Sequence, residues 1–234
     1  LLNHSLPEMI RYAADRQMST VVHSNLNSLE EGLAEELIKS GLSELVASID
    51  GASPESYTAY RRGGSWDLAL RNLRLLCAKK NELASEKPSI TWKFLVFRHN
   101  EHELNKAREI AQGLGVAIEF KLAVTQGELS PSLEDYSSDN LADKFIKNYG
   151  LPCEQIWRTV SIHADGTILP CCMVSRMKYG VGNFFREDFR AIWNNQRYRL
   201  LREVVSGRIA SDESVYCNDC MFGVHLKGAR DKNG

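Results

Sequence analysis

The chain has 234 residues, of which 43% are hydrophobic, so it can bury a substantial core. Its 29 Lys and Arg residues balance 30 Asp and Glu residues, and this balance gives no electrostatic basis for binding nucleic acid or an anionic membrane. The sequence shows neither an apolar run of membrane-spanning length nor a signal peptide, so we expect a cytoplasmic protein without a membrane partner.

The first half of the chain alternates between helical patterns and short strand patterns. Segments rich in β-branched or aromatic residues predict four strands, at 19–23, 44–49, 89–97 and 116–124. Apolar residues at helical spacing predict helices that begin after Ser5, after a capping box at 28–31 and after Ser53, and two longer helices at 66–83 and 101–114. Short strands alternating with longer helices are typical of repeated βα units, so we expect an α/β fold with a parallel sheet.

The residues that follow the predicted strands are the candidate ligand contacts, because ligands of parallel sheets lie beyond the carboxyl ends of the strands. These positions are Ser24, Asn25, Ser48, Asp50, Gly51, Arg98, His99, Asn100, Thr125 and Gln126. Polar side chains at such ends also cap backbone groups, and Asp50 before Gly51 can serve the turn instead of a ligand.

The second half of the chain has a different character. Residues 127–148 are rich in Ser and Asp, which predicts a linker with one helix at 141–147. After it, segments 156–162 and 167–169 flank an Asp-Gly pair and predict a β-hairpin, and 187–205 is helical. We expect a small mixed α and β region there.

Five of the six cysteines lie in this second region, at Cys153, Cys171, Cys172, Cys217 and Cys220. The close pair at the end and the distant partners favour four thiolates around one centre, either structural zinc or a [4Fe–4S] cluster. A redox-active pair, disulfides and inert buried thiols are the alternatives. Cys77 lies within a helical pattern and is better explained as a buried hydrophobic residue.

Two ordered sets of short motifs resemble radical SAM enzymes that carry a SPASM-type C-terminal domain. The first set is the strand end at 48–52 with the Pro, Tyr, Arg and Gly residues of 54–64. The second set contains Cys153, Trp157, the Asp-Gly of 165–166, the Pro-Cys-Cys of 170–172, the Gly-Asn of 182–183, the Ile-Trp-Asn of 192–194, Arg202, Cys217 and Cys220. Together they extend over nearly the whole chain.

The resemblance implies a partial (β/α)6 radical SAM barrel, in which the four predicted strands are the third to the sixth. It divides the chain into a barrel at 1–126, a linker at 127–150 and a SPASM-like α+β domain at 151–234. The family binds S-adenosylmethionine and a [4Fe–4S] cluster, and it generates a 5′-deoxyadenosyl radical that abstracts hydrogen from a substrate. The resemblance also implies a reductase such as flavodoxin or ferredoxin, and a small-molecule or peptide substrate that the sequence does not identify.

Specific roles are carried over residue by residue. Cys153, Cys171, Cys217 and Cys220 are the implied ligands of one auxiliary [4Fe–4S] cluster, with Cys172 as the alternative to Cys171. The implied contacts of S-adenosylmethionine are Ser24, Asn25, Ser48, Asp50 and Arg61, the last because a guanidinium grips a carboxylate at two points. Trp157 and Trp193 are interpreted as core residues, and His99 as a structural histidine.

Two motifs of the family are missing. The C-x3-C-x2-C sequence that binds the catalytic cluster does not occur in these 234 residues, nor does the Gly-Gly-Glu-Pro element. We therefore expect a fragment of a radical SAM enzyme that is inactive alone and that needs a second [4Fe–4S] cluster, with S-adenosylmethionine, in its full-length form. A four-cysteine zinc protein and a scaffold that has lost its chemistry are the competing hypotheses.

Overall fold

The computed structural model describes residues 1–123, 153–174, 176–209, 214–218 and 220. The chain divides into two compact units, Leu1–Leu133 and Glu134–Gly234. The predicted helix at 141–147, and Thr125 and Gln126, lie outside the described residues. In the described ranges, no helix combines the length and the apolar character needed to cross a bilayer.

The first unit is a parallel four-stranded sheet with helices between its strands, as predicted. Its strands, in the order β1-β2-β3-β4 across the sheet, are β1 (Val21–Ser24), β2 (Glu44–Ser48), β3 (Ser89–Val96) and β4 (Ala117–Leu122). Its helices are α1 (Leu6–Ala14), α2 (Glu31–Lys39), α3 (Pro54–Tyr60), α4 (Trp66–Glu82) and α5 (Leu104–Leu114), with a short 3-10 turn at Glu101–Glu103.

The core of this unit lies along β2 and β3, whose inward side chains are fully buried. Leu45, Trp92 and Phe94 belong to it, together with Leu70 and other apolar residues of α4. Burying aromatic and aliphatic side chains of this size stabilises a fold by about 2 kcal/mol each. Cys77 packs half-buried against this core, so it is a hydrophobic residue of the unit, as predicted.

Most helix boundaries follow the sequence signals, but one does not. The side chains of Ser53 and Ser65 cap α3 and α4, and Gly115 ends α5 in the left-handed conformation. The capping box predicted at 28–31 is wrong: the chain remains extended through Glu30, and α2 begins without a side-chain cap. Leu29 is buried in the core at this point, so packing rather than capping sets the start of α2.

The second unit contains a three-stranded antiparallel sheet and short helices. Its strands are β5 (Ser161–Ile162), β6 (Thr167–Leu169) and β7 (Gly182–Asn183), in the order β5-β6-β7. Its helices are α6 (Gln155–Arg158), α7 (Phe189–Trp193) and α8 (Gln196–Val205), with 3-10 turns at Met177–Tyr179 and Tyr216–Asn218. The core is small and includes Ile168, Ile192, Tyr198 and Leu201.

Three predictions for this unit need correction. The hairpin forms around Gly166, but Ile156 to Arg158 form helix α6 instead of extending the first strand. The single helix predicted at 187–205 is two helices, because the side chain of Asn195 accepts a hydrogen bond from the Tyr198 amide and starts α8 anew. Trp157 is 39% exposed, so its predicted place in the core is wrong.

Candidate functional site

The carboxyl ends of β2 and β3 carry a buried acidic group, Asp50. One of its carboxylate oxygens accepts a hydrogen bond from the Leu95 amide at 2.8 Å. The other accepts from Nε of Arg61 at 2.7 Å, and the Asp50 side chain is fully buried in this pair. Both oxygens are therefore engaged by the protein, which makes Asp50 a brace between β3 and the end of α3.

Arg61 is the exposed partner of this pair. It follows the last residue of α3, and 29% of its side chain is exposed. Within the described residues its ion pair runs through Nε, which leaves the outer edge of the guanidinium free to take a second group. The bond from Nε to Asp50 fixes the orientation of the guanidinium. The two N–H groups at its outer edge are thereby oriented to bind a carboxylate.

Two predicted contacts at the end of β1 also serve local turns. The hydroxyl of Ser24 accepts a hydrogen bond from the Leu26 amide at 3.1 Å, and Oδ1 of Asn25 accepts from the Asn27 amide at 3.1 Å. Asn27 in turn donates to the Tyr57 hydroxyl at 2.7 Å. These bonds fix the loop after β1, and they engage Ser24 and Asn25 as acceptors, the role that polar residues at strand ends commonly have.

Ser48 is the last residue of β2 and lies half-buried opposite Lys93 of β3. In the part of the chain that the structure describes, its side chain forms no hydrogen bond. Its hydroxyl therefore keeps a donor and an acceptor that a ligand could use.

A second buried carboxylate at this edge, Glu103, was not found from the sequence. Its Oε2 accepts a hydrogen bond from the Ala52 amide at 2.8 Å and a shorter one from the Ser56 hydroxyl. Burial alone would raise the pKa of Glu103, but the hydrogen bonds from Ser53, Ser56 and the Ala52 amide outweigh it and lower that pKa. Glu103 is thus held as a carboxylate that anchors the loop between β2 and α3.

Asn100 completes the anchoring of this loop. Its amide group donates to the carbonyl oxygens of Asp50 at 3.1 Å and Leu95 at 3.0 Å, and its side-chain oxygen accepts from the Phe97 amide at 2.7 Å. The ring of His99 stacks on Phe97 and contacts the Ser56 carbonyl. The polar residues after β3 therefore hold neighbouring backbone, in agreement with a structural role for His99.

The cysteines of the second unit differ in burial. Cys171 is buried between Leu169 and Val174, whereas Cys172 beside it is exposed. Cys153 and Cys217 are half-buried and pack against the core of the unit. None of the six cysteines forms a disulfide. Residues from three separate stretches thus bring thiols to the same small domain.

The pKa values of the thiols indicate that they interact. Burial raises the pKa of Cys153 and of Cys171. Burial, followed by repulsion from the neighbouring thiols of Cys171, Cys220 and Cys153, raises the pKa of Cys217 to about 12. Cys172 contributes in the same way to Cys153 and Cys171. All five cysteines of the region therefore lie close enough to influence one another's charge.

Comparison with known proteins identifies the region that holds these thiols. The sequence model of the SPASM family, described as an iron–sulfur cluster-binding domain, matches residues 153–221. Residues 153–221 are a SPASM domain. This match confirms the predicted resemblance to radical SAM enzymes that carry a SPASM domain. No curated protein matches the chain.

Solved structures of SuiB from Streptococcus suis share the fold. The structure with bound S-adenosylmethionine matches with a TM-score of 0.59 at 11% identity, and it covers 94% of this chain and 57% of that one. The structure with the precursor peptide SuiA matches with a TM-score of 0.56 at 9% identity, over 85% of this chain and 53% of that one. The chain therefore spans little more than half of SuiB, and identities this low show likeness of fold alone.

The SPASM domain contains buried polar atoms without partners. Tyr198 is fully buried in the core against which Cys153 and Cys217 pack, and burial raises its pKa to about 12. Its hydroxyl has no hydrogen-bond partner among the described residues, nor do Nε and Nη2 of Arg202. Leaving a buried donor unpaired costs about 1–3 kcal/mol. A bound group that accepts a hydrogen bond from the protonated Tyr198 hydroxyl would remove this cost.

The donor set of the SPASM domain also fits the group that its family binds. In the described part of the chain, no three His, Cys, Asp or Glu side chains already hold a metal-binding arrangement. The thiols nevertheless raise one another's pKa, and a cationic iron or zinc centre would convert this repulsion into attraction. The chemistry of the donors is therefore that of a thiolate metal centre.

Proposed function

We propose that this chain is part of a radical SAM enzyme whose SPASM domain binds one auxiliary [4Fe–4S] cluster. Four cysteines would hold it, namely Cys153, Cys171, Cys217 and Cys220. The observation that supports this assignment is the mutual effect of these thiols on their pKa values within one small domain. Four cysteine thiolates are the usual ligand set of a [4Fe–4S] cluster.

The choice between Cys171 and Cys172 rests on their surroundings. Cys171 is buried beside Val174, and of the neighbouring thiols it contributes most to the raised pKa of Cys217. Cys172 is exposed. A ligand from the buried position keeps the centre away from water, which makes Cys171 the proposed ligand and Cys172 its free neighbour.

When bound, a [4Fe–4S] cluster supplies one-electron transfer. The residues of this chain would hold it, exclude water from it and donate hydrogen bonds to it. Tyr198 is the proposed donor, because its hydroxyl is buried, protonated and without a partner among the described residues. A hydrogen bond from this group would stabilise the additional negative charge of a reduced centre.

The first unit would provide part of the S-adenosylmethionine site as part of a partial (β/α)6 barrel. The outer edge of Arg61, held by Asp50 through Nε, is the proposed partner of the cofactor carboxylate. Ser48 offers a free hydroxyl at the end of β2, and Ser24 and Asn25 would approach the cofactor from the loop after β1. In this proposal Asp50 positions Arg61.

A peptide is the proposed substrate class, supported by the similarity of fold to SuiB bound to its precursor peptide SuiA. A flavodoxin or ferredoxin would supply electrons. The proposed domain bounds remain 1–126 for the barrel, 127–150 for the linker and 151–234 for the SPASM domain.

Anaerobic reconstitution with iron, sulfide and an equal amount of zinc tests the metal centre. We expect iron and sulfide in equal amounts, about four of each per chain, and a broad visible absorption that oxygen bleaches. About one zinc per chain without sulfide would support instead a structural four-cysteine site, which the same donor set can form.

A further inference from the structure

One cavity of the SPASM domain is lined by residues to which the proposed function gives no role. It has a volume of about 320 Å³, which is large enough for one amino-acid side chain and its neighbours. Its walls come from α6, from α8 and from the residues after α8. They are Trp157, Arg199, Arg202, Glu203, Ser206 and Arg208.

The charge of this cavity differs from that of the protein as a whole. The chain has a net charge of −1, but the cavity contains three arginines and a single carboxylate. Within the described ranges, Arg199, Arg202 and Arg208 form no ion pair with any acidic residue. A concave surface with uncompensated positive charge attracts anions.

Arg202 is the most constrained of the three. Its guanidinium carbon lies 4.6 Å from the centre of the Trp193 ring and 5.0 Å from that of Tyr198. Nε and Nη2 are buried and have no hydrogen-bond partner in the part of the chain described. Stacking on two rings fixes the plane of the cation while its charge remains unpaired.

Trp157 adds an apolar wall. Trp157 is 39% exposed although Ile156 beside it is buried, and it lines the same cavity as the arginines. An exposed Trp next to Arg residues is the combination that is most enriched where proteins bind peptides and other proteins.

We propose that this cavity binds a carboxylate-bearing segment of a peptide, with the carboxylate on the arginines and an adjacent apolar side chain on Trp157. A carboxylate matches the planar fork of a guanidinium. The carboxylate of Glu203 on the same wall would repel the higher charge of a phosphate group more strongly. The choice of a peptide rests on the proposed function, whereas the binding itself requires neither iron nor S-adenosylmethionine.

Fluorescence anisotropy with two labelled peptides tests this site on the full chain. One peptide alternates leucine and glutamate, and the other alternates leucine and glutamine. We expect the glutamate peptide to bind at least about tenfold more tightly, and to weaken when the salt concentration is raised. Equal affinity for the two peptides overturns the proposal, and so does displacement by inorganic phosphate at lower concentrations than acetate.

Variants then locate the binding. Arg199→Gln and Arg208→Gln change exposed residues, and each should lower the affinity for the glutamate peptide by about threefold. Arg202→Lys keeps the charge but loses the planar fork, and should weaken it by about tenfold. Arg190→Gln is the matched control, because Arg190 is exposed on α7 and does not line the cavity. A loss in the control equal to that in Arg208→Gln would overturn the assignment.

The outcomes separate this site from the proposed function. Iron and sulfide content is measured on each variant, and it should equal that of the unmodified chain. Peptide binding that is unaffected by all three cavity variants rejects the cavity, whatever the metal content.

Discussion

The two units of this protein satisfy their buried polar groups in different ways. At the strand ends of the first unit, Asp50, Asn100 and Glu103 are all hydrogen-bonded to backbone or side chains of the same unit. In the SPASM domain, the Tyr198 hydroxyl and two nitrogens of Arg202 have no such partner among the described residues. Among the described residues, the strand ends of the first unit therefore pair their own buried polar groups, whereas the SPASM domain leaves three buried polar atoms unpaired.

The hydrophobic cores of the two units also differ. The first unit buries large side chains of β2, β3 and α4 in one continuous cluster. The second has a small core, with Cys153 and Cys217 packed against it. Small domains often use a metal for the stability that their cores lack, because the free energy of metal binding is then part of the free energy of folding. The comparison predicts that removing a thiol damages the second unit and leaves the first intact.

Substitution of Cys217 should have the largest effect. Cys217→Ser removes the thiol on which three neighbours act, so we expect iron and sulfide to fall to background and the SPASM domain to lose protection from proteolysis. Cys77→Ser is the control, because Cys77 packs against the core of the first unit. Iron content in Cys217→Ser equal to that of the control would reject Cys217 as a ligand.

The adjacent cysteines sharpen the assignment. Cys171→Ser should lose the metal centre, whereas Cys172→Ser should retain most of its iron, because only Cys171 is buried. Iron and sulfide analysis after identical reconstitution compares the two. The reverse result would make Cys172 the ligand.

In the first unit, Asp50→Ala should destabilise by about 3 kcal/mol, since it leaves the Leu95 amide and the Arg61 cation without their acceptor. Urea unfolding measures the loss, with Asp15→Ala on the surface as the control. Combining it with Arg61→Ala should cost less than the sum of the single changes. Strict additivity would mean that the pair does not interact in solution.

Glu103→Gln should cost about 2 kcal/mol at neutral pH, the value of hydrogen bonds to a buried charge. Because the pKa of Glu103 is lowered in the folded protein, its contribution is fully present above the unfolded pKa of about 4.3 and disappears as the pH falls through the folded pKa. The difference in the free energy of unfolding between wild type and variant should therefore shrink in acid, and Glu109→Gln on the surface is the control. A constant difference down to low pH would contradict this account.

The smallest effect is expected from Tyr198→Phe. If the hydroxyl donates to a bound cluster, its removal should lower the midpoint potential by about 40 mV, the equivalent of about 1 kcal/mol. Redox titration of the reconstituted protein measures this shift. An unchanged potential with increased stability would show that the hydroxyl is simply buried without a partner.

Pattern and spacing predicted the first unit well, because its elements are regular. The parallel sheet and the four strands were readable from β-branched and aromatic runs, and the cap at Ser53 from its position before Pro54. Glu103 was not readable, since its hydrogen-bond partners lie about 50 residues away in sequence. Local signals also gave the wrong start for α2, where burial of Leu29 decided the outcome.

The second unit was predicted in its cysteines but less well in its elements. Its strands have only two or three residues, and the helical segment at 187–205 contains the break at Asn195. Trp157 was predicted to pack in the core, yet it is 39% exposed and lines a cavity. In a small domain organised by a bound group, hydrophobic pattern alone determines the structure weakly.

The most direct test of this account is the Mössbauer spectrum of the chain reconstituted with isotopically enriched iron. We predict that one [4Fe–4S] signal accounts for the bound iron and that it disappears in Cys217→Ser. A spectrum of unclustered iron, or a protein that takes up zinc and no iron, would contradict the claim that these distant cysteines hold an auxiliary cluster.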